Sequence, residues 1–422
     1  MKTFFIQTFG CQMNVYDGQK IAQMLRARNM TQTENLTDAD VIILNTCAVR
    51  AKATDKVFSA LGRIRKQKKP DAIFGIVGCV ARESGPDAFR RIPELNFVLG
   101  PQSYHKLPEI LDNPDAKLLN TDLSGLEKFD ELPHESESGN MAYIPIQEGC
   151  DHCCTYCIVP YTRGRELSRP FDDVMNDVKT AAMGGAVEIC FLGQNVNGYK
   201  FSLANLIKET AKIESVKRIR FTSSYPTEMT DDLIDLFSIE PKLLPFLNMP
   251  IQSGSPDVLK RMNRPYSLEL YINIINKLRA ARPDIQISSD FIVGFPGESD
   301  DDFKQTCDIA KQIKYINSYS FKYSPRPHTA AAIMQNQVPE NIKKERLKIL
   351  DDILMEQNRA FNESCIGCAL PCLFEGDDKT GNNMIYRSPY MQQVVVSGKN
   401  GDTIETIKIT SANKSSLRGK IV

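Results

Sequence analysis

Four cysteines, Cys150, Cys153, Cys154 and Cys157, crowd the stretch GCDHCCTYCIVPYTRGR at residues 149–165. Thiolates at such spacing suit soft metals, either zinc or an iron–sulfur cluster. Two registers are open: CxxxCxxC through Cys150, Cys154 and Cys157, or CxxCxxxC through Cys150, Cys153 and Cys157. A bacterial ferredoxin run ends in a fourth cysteine followed by proline, whereas Ile158 follows Cys157 here, which disfavours a simple electron carrier. A cubane cluster has four irons, so three thiolates leave one iron open. An open metal position is where chemistry takes place, as the contrast between catalytic and structural zinc illustrates. A structural zinc module is the plainer alternative, disfavoured by the barrel pattern around the loop, and a zinc enzyme with several imidazole ligands is disfavoured by a chain with only four histidines.

A second set of thiols sits nearer the N-terminus. TFFIQTFGC, DVIILNTC and AIFGIVGC are short apolar runs that each end in a cysteine, Cys11, Cys47 and Cys79, and helical spacing resumes after them. The cysteines lie 36 and 32 positions apart, about one βαβ repeat of a parallel sheet. Strand ends of such a sheet share one rim, where ligands bind, so the three thiols are expected to converge. Separate packing as small core residues is the competing expectation.

These residues need elements to position them. The 422-residue chain is long enough for two or three domains, and its composition is ordinary, 42% hydrophobic and 25% charged. Twelve cysteines without a signal-peptide core suit a reduced cytoplasmic protein that holds metal, and no apolar run reaches membrane-spanning length. The formal net charge is zero, so a nucleic-acid partner would have to be held by local patches. The expected organisation is an N-terminal parallel-sheet α/β domain over 1–120 and an acidic linker over 121–138. A six-unit βα barrel over 139–361 follows, and then a small β-barrel over 362–422. Within the central unit, MAYIPIQEG, VEICFLGQN, RIRFTSS, LLPFLNMPIQ, IQISSDFIVGF and SYSFKYS are strand candidates.

At the strand ends, FLGQN and PIQSGS bring Gln194, Asn195, Gln252 and Ser253 to the cavity as candidate ligands, although turn chemistry alone accounts for such residues. Gly294 in SSDFIVGFPGE permits close backbone approach to a flat ligand. Basic stretches at 63–70, 162–169 and 414–420 are candidate phosphate contacts, with Arg163, Arg165, Arg169 and Arg418 favoured.

The CxxxCxxC loop after the first barrel strand resembles the radical S-adenosylmethionine (SAM) superfamily. That resemblance assigns Cys150, Cys154 and Cys157 to a SAM-binding 4Fe-4S cluster and Tyr156 to contact with the adenine of SAM. With a three-cysteine α/β domain before the barrel and a small β-barrel after it, the whole chain resembles the methylthiotransferase family. The resemblance implies a second, auxiliary 4Fe-4S cluster on Cys11, Cys47 and Cys79 and an RNA-binding TRAM module at the C-terminus. TFGCQMNVYD, CTYCIVPYTRGRELSRP, LGQNVNGY and PIQSGSPDVLKRMNRPYS resemble the branch that methylthiolates C2 of N6-isopentenyladenosine beside the tRNA anticodon. The implied reaction uses two SAM molecules, sulfur passing through the auxiliary cluster, and the implied partners are a tRNA anticodon stem-loop, a flavodoxin- or ferredoxin-like electron donor and a sulfur source. A monomer is expected. Cys365, Cys368 and Cys372 depart from the family pattern and are expected to be packed strand residues, with Cys190 and Cys307 in the core.

Overall fold

A computed structural model of the chain describes residues 2–48, 53–123, 125, 127–133 and 139–422. The first sheet comprises β1 (Thr3–Thr8), β2 (Thr31–Gln32), β3 (Val41–Thr46), β4 (Ile73–Gly78), β5 (Phe97–Leu99) and β6 (Leu118–Asn120). All its pairs are parallel, in the order β2-β1-β3-β4-β5-β6. Every residue of β3 and β4 is buried, which is why both read as unbroken apolar runs rather than alternating ones. Their pleat feeds two cores. Ile42 and Leu44 pack with Val57 and Leu61 of the helix Ala53–Gln67, while Val41 and Ile43 pack with Ile21 and Leu25 of the helix Gln12–Ala27.

The expected linker is more than a tether. Its described part forms the short helix Glu127–Glu131, and Lys128, Phe129 and Leu132 are buried. Residues 134–138 of it lie outside the described residues.

The second unit begins with β7 (Met141–Pro145) and the short antiparallel pair β8 (Gln147–Glu148) and β9 (Leu167–Ser168), which closes the four-cysteine loop. Then follow β10 (Glu188–Leu192), β11 (Arg218–Phe221), β12 (Phe246–Asn248), β13 (Gln286–Ser288), β14 (Asp290–Val293) and β15 (Tyr319–Lys322). Parallel pairing gives the groups β7-β10-β11, β12-β13 and β14-β15, joined by bridges between Ile219 and Leu243 and between Gln252 and Phe291. The single strand expected over IQISSDFIVGF is two. Ser289 breaks the ladder because its amide donates to Ser318 Oγ (3.0 Å) and its hydroxyl accepts from the Ile251 amide (2.9 Å).

The helix Glu340–Ser364 leads to β16 (Ala369–Asp377), β17 (Asn383–Arg387), β18 (Gln393–Ser397), β19 (Ile404–Ala412) and β20 (Ser416–Ile421). These five close into a barrel, β16-β17-β18-β20-β19. Cys365 and Cys372 lie in its core with Tyr386 and Leu417, whereas Cys368 is exposed. Cys190 and Cys307 are buried, as expected of core residues. Among the described residues no helix is long and apolar enough to cross a membrane.

Candidate functional site

The three N-terminal cysteines follow neighbouring strand ends. Thr8 of β1 is in register with Asn45 of β3, and Thr46 of β3 with Gly78 of β4, so Cys11, Cys47 and Cys79 all emerge on one edge of adjacent strands. Gly10 permits the approach: its φ is +138°, and a Cβ there would lie 2.4 Å from Cys47 Cβ. Two buried amides that sequence reasoning missed pin the strand ends. Asn14 Nδ2 donates to Asn45 Oδ1 and to the Thr46 carbonyl, both at 2.9 Å, and Asn45 Nδ2 donates to the Asn14 carbonyl at 2.7 Å. Cys11 Sγ lies 3.2 Å from Asn14 Oδ1. The available signal was a lone amide in the apolar run VIILNT, since a buried polar group needs a partner.

The second trio sits on the loop between β8 and β9. Gly149 pinches this loop shut, for a Cβ at its φ of +75° would lie 1.9 Å from the Arg165 carbonyl. The loop rests on the stretch 261–263: the Thr155 amide and hydroxyl donate to the carbonyls of Met262 (3.0 Å) and Arg261 (2.9 Å), and Asn263 Nδ2 donates to those of His152 and Cys153 (both 3.2 Å). Cys150 has Cys154 and Cys157 as electrostatic neighbours, and Cys157 has Cys154 and, with a smaller effect, Cys153, which is exposed at a φ of +49°. The arrangement favours the CxxxCxxC register.

Among the described residues, no three His, Cys, Asp or Glu side chains close on a single point as one metal ion requires. A cube makes no such demand, because each thiolate binds its own iron. Arg264 tests the fit of an anionic thiolate cluster. It is buried, and its guanidinium donates to Tyr266 Oη (2.7 Å), the Pro250 carbonyl (2.7 Å), Tyr156 Oη (3.4 Å) and Cys154 Sγ (3.7 Å). None of these partners is a carboxylate. The rings of Tyr225 and Tyr266 also face it, with centroids 4.6 and 5.1 Å away. A buried cation in this setting is best compensated by negative charge at the thiolates beside it.

A second test concerns SAM. Asn195 Oδ1, Ser224 Oγ, Tyr225 Oη and Glu228 Oε2 are buried and have no hydrogen-bond partner among the described residues. They follow β10 and β11, and Asn195 and Glu228 flank Gly198. Each unsatisfied group costs about 1–3 kcal/mol, so a polar ligand is the natural complement at this rim. Ser224, Tyr225 and Glu228 were not singled out from sequence, because TSSYPTE reads as an ordinary turn.

The other expected ligands have protein partners. Gln194 Oε1 accepts from the Gly149 amide at 2.6 Å and so steadies the start of the loop. Asn195 Nδ2 donates to Glu166 at 2.9 Å. Ser253 is buried against Thr306 Oγ1 at 3.2 Å and accepts from the Ser255 amide, so turn chemistry accounts for it. Gln252 has a φ of +73° and bridges to Phe291. Gly294 is required by a side chain: a Cβ at its φ of +70° would lie 2.1 Å from Lys343 Cγ. The Tyr156 ring packs beside Val258 and Phe295.

Two of the four expected phosphate contacts are corrected. Arg163 is 3% exposed and bridges the first two units, pairing with Asp17 (3.1 Å) and Glu148 (3.0 Å). Lys128 pairs with the same two carboxylates, giving two buried cations against two buried anions. Removing one member of such a set costs about 3–5 kcal/mol, because the remaining charges stay buried. Arg169 is buried on Asp177 (2.8 Å) and the Pro145 carbonyl (2.9 Å). A guanidinium so enclosed is not presented to phosphate. Arg165 and Arg418 are exposed.

The cysteine loop is itself part of this seam. Ile158 enters the core of the first unit, and Gln102 Nε2 donates to the Arg163 carbonyl at 3.0 Å. The Arg163 charge acts on both Cys11 and Cys79. A hydrogen bond with Cys47, assisted by Arg163 and opposed by burial, brings the Cys11 thiol down to about 6. Burial pushes Cys150 and Cys157 up to about 12. At neutral pH the metal-free protein should therefore hold Cys11 largely as thiolate and Cys150 and Cys157 as neutral thiols. Iodoacetamide labelling read by mass spectrometry checks this. Cys11 should react first, with its rate rising through pH 6, and equal labelling of Cys150 would contradict it.

Residues 3–100 match the profile described as uncharacterized protein family UPF0004, and residues 144–310 match that of the radical SAM superfamily. The "tRNA-2-methylthio-N(6)-dimethylallyladenosine synthase" of Rickettsia canadensis (strain McKiel) is 48% identical over 442 residues, covering 100% of this chain and 99% of its own. The chain belongs to this synthase family. It is accordingly an enzyme, a methylthiotransferase of the radical SAM superfamily. The Rickettsia conorii (strain ATCC VR-613 / Malish 7) member is 47% identical over 443 residues, with both chains covered in full. Among solved structures, the radical SAM methyltransferase TsrM from Kitasatospora setae matches with a TM-score of 0.59 at 11% identity, covering 90% of this chain and 79% of that one. At that identity the likeness concerns the fold alone. Membership of the radical SAM superfamily supports the coarse cofactor set, SAM and a 4Fe-4S cluster.

Proposed function

We propose that the enzyme adds a methylthio group to C2 of N6-isopentenyladenosine beside the tRNA anticodon. In this reading it uses two molecules of SAM and draws sulfur through an auxiliary 4Fe-4S cluster on Cys11, Cys47 and Cys79. The observation that carries the reading is the seam: a buried Arg163 and Ile158 bring the two cysteine trios to one interface, in a chain whose full-length relatives bear the synthase name. When bound, the clusters supply the electron that cleaves SAM at Cys150, Cys154 and Cys157 and the sulfur that is transferred from the other trio.

The chain's own residues bind, orient and exclude. Arg264 steadies the negative charge at Cys154, and Asn195, Ser224, Tyr225 and Glu228 offer polar atoms to SAM. The packed seam keeps water from reactive species. The target carbon is reached most cheaply on a base turned out of a single-stranded loop, which the anticodon provides. Arg165 and Arg418 are exposed for phosphate, the latter on β20 of the closed barrel, which serves as the RNA-binding module of residues 362–422. An N-terminal domain over 1–120 and a radical SAM core over 139–361 complete the division, with an external electron donor and sulfur source acting on a cytoplasmic monomer.

Mass analysis of tRNA nucleosides from a strain lacking the gene tests the reading. Loss of the methylthio group from isopentenylated adenosine, restored by the gene, is expected. An unchanged nucleoside would overturn it.

A further inference from the structure

Three cysteines near the C-terminus belong to neither trio. Cys365 caps the C-terminal end of the helix Glu340–Ser364, Cys368 lies three residues on, and Cys372 follows in β16. Their surroundings differ. Cys372 is fully enclosed in the barrel core, Cys365 is 5% exposed, and Cys368 is open to solvent. The three side chains form no group that could hold a metal ion.

Backbone geometry singles out the first two. The Cys368 amide donates to the Cys365 carbonyl at 3.0 Å, closing a four-residue turn with Gly367 at a φ of +89°. Such a turn keeps its end Cα atoms within about 7 Å, and a disulfide spans about 4.4–6.8 Å between Cα atoms. The turn is fastened to β19, for the Gly367 amide donates to the Ile409 carbonyl (2.8 Å) and the Ile409 amide to the Cys368 carbonyl (2.9 Å). Both thiols point back along one helix. Cys365 Sγ donates to the Phe361 carbonyl at 3.3 Å and Cys368 Sγ to the Ser364 carbonyl at 3.8 Å, acceptors less than one helical turn apart. Cys365 also has Cys368 among its charge neighbours.

We infer that Cys365 and Cys368 are a reversible dithiol–disulfide pair that exchanges with a low-molecular-weight disulfide of the glutathione class. The exposed Cys368, as thiolate, attacks one sulfur of glutathione disulfide, breaking its S–S bond and expelling one glutathione thiolate. Cys365 then gives up its proton and attacks the Cys368 sulfur, expelling the second glutathione. Two protein thiols lose two electrons and two protons, and two glutathione thiols are formed. The C-terminal end of a helix carries partial negative charge. The reduced pair therefore gains none of the stabilisation that a helix N-terminus gives a thiolate, which favours the disulfide by comparison. In a reducing compartment a bond of this kind is transient and redox-sensing rather than structural.

The pair also sits at a junction. Gln392 Nε2 donates to Cys365 Sγ (3.7 Å) and to Asn362 Oδ1 (2.6 Å). The loop 388–392 that Gln392 closes meets the second unit, where Arg218 donates to the Ser388 carbonyl (3.2 Å) and Tyr390 Oη donates to Asp284 (3.1 Å). Helix, barrel and second unit thus come together at these two thiols.

The test uses reconstituted full-length protein, equilibrated anaerobically in glutathione buffers of rising disulfide content, quenched with acid, alkylated with N-ethylmaleimide under denaturing conditions and digested with trypsin. The peptide 360–379 carries all three of these cysteines and no other. In the oxidised buffers it should lose about two daltons as hydrogen and take a single alkyl group, on Cys372, and dithiothreitol should restore alkylation of all three. Cys368→Ser, at an exposed position and with iron content as the folding control, should abolish the loss and leave Cys365 and Cys372 both alkylated. Full alkylation of the unaltered protein in every buffer, a glutathione adduct on Cys368 that never resolves, or a disulfide through Cys372 would overturn the inference.

Discussion

Replacing Cys154 with alanine should cut 5′-deoxyadenosine formation from SAM by about a thousandfold or more, the scale on which a group acting as part of a unit fails. The substitution removes one of three thiolates from a loop that has no fourth to offer in the same register. It also strips Arg264 of the sulfur 3.7 Å from its guanidinium, leaving a buried cation with hydroxyl, carbonyl and ring partners alone. Cys153 offers a control one residue away. It is exposed and in the left-handed region, so Cys153→Ala should retain SAM cleavage. Chromatographic measurement of 5′-deoxyadenosine under reducing, anaerobic conditions compares the two. Equal activity in both variants would contradict the CxxxCxxC assignment.

The triple variant Cys11→Ala, Cys47→Ala, Cys79→Ala should separate the two halves of the reaction. SAM cleavage persists, because the loop between β8 and β9 keeps its cysteines and its anchors on the stretch 261–263. Methylthiolated RNA falls below detection, since no thiolate remains at the edge of the first sheet to hold the sulfur-bearing group. Removing three small side chains there leaves the Asn14–Asn45 pair and the ion pairs of Arg163 in place, so the seam should survive. Product analysis of both reactions in one assay is the check. Methylthiolation by the triple variant would place the sulfur source elsewhere.

The address of the N-terminal thiols was legible because three apolar runs each end in cysteine, and strands buried on both faces announce themselves as unbroken apolar sequence. Parallel order then brings their ends to one edge without further information. The loop cysteines were legible from spacing, and the family resemblance chose Cys154 over Cys153, which the fold leaves exposed. The closed C-terminal barrel was equally visible in its short strands and turns.

The seam was not visible. Asp17, Lys128, Glu148 and Arg163 come from four separate segments, and an arginine after a metal-binding loop looks the same whether it meets phosphate or a buried carboxylate. Burial decides the question, and no local pattern reports burial for a charged side chain. The same limit hid Lys128 and Phe129 inside a segment whose acidic, serine-rich composition reads as a tether. Gly294 illustrates a subtler ambiguity. A glycine at a strand end signals a close approach, but the approaching group is the stem of Lys343.

Under the proposed function each cysteine trio holds its own 4Fe-4S cluster. Iron and acid-labile sulfide analysis of anaerobically reconstituted protein, beside the Cys11, Cys47, Cys79 triple variant, tests it most directly. About eight irons and eight sulfides per chain, falling to about four of each in the variant, is the predicted result. Equal iron in the two proteins, or zinc in place of iron, would contradict it.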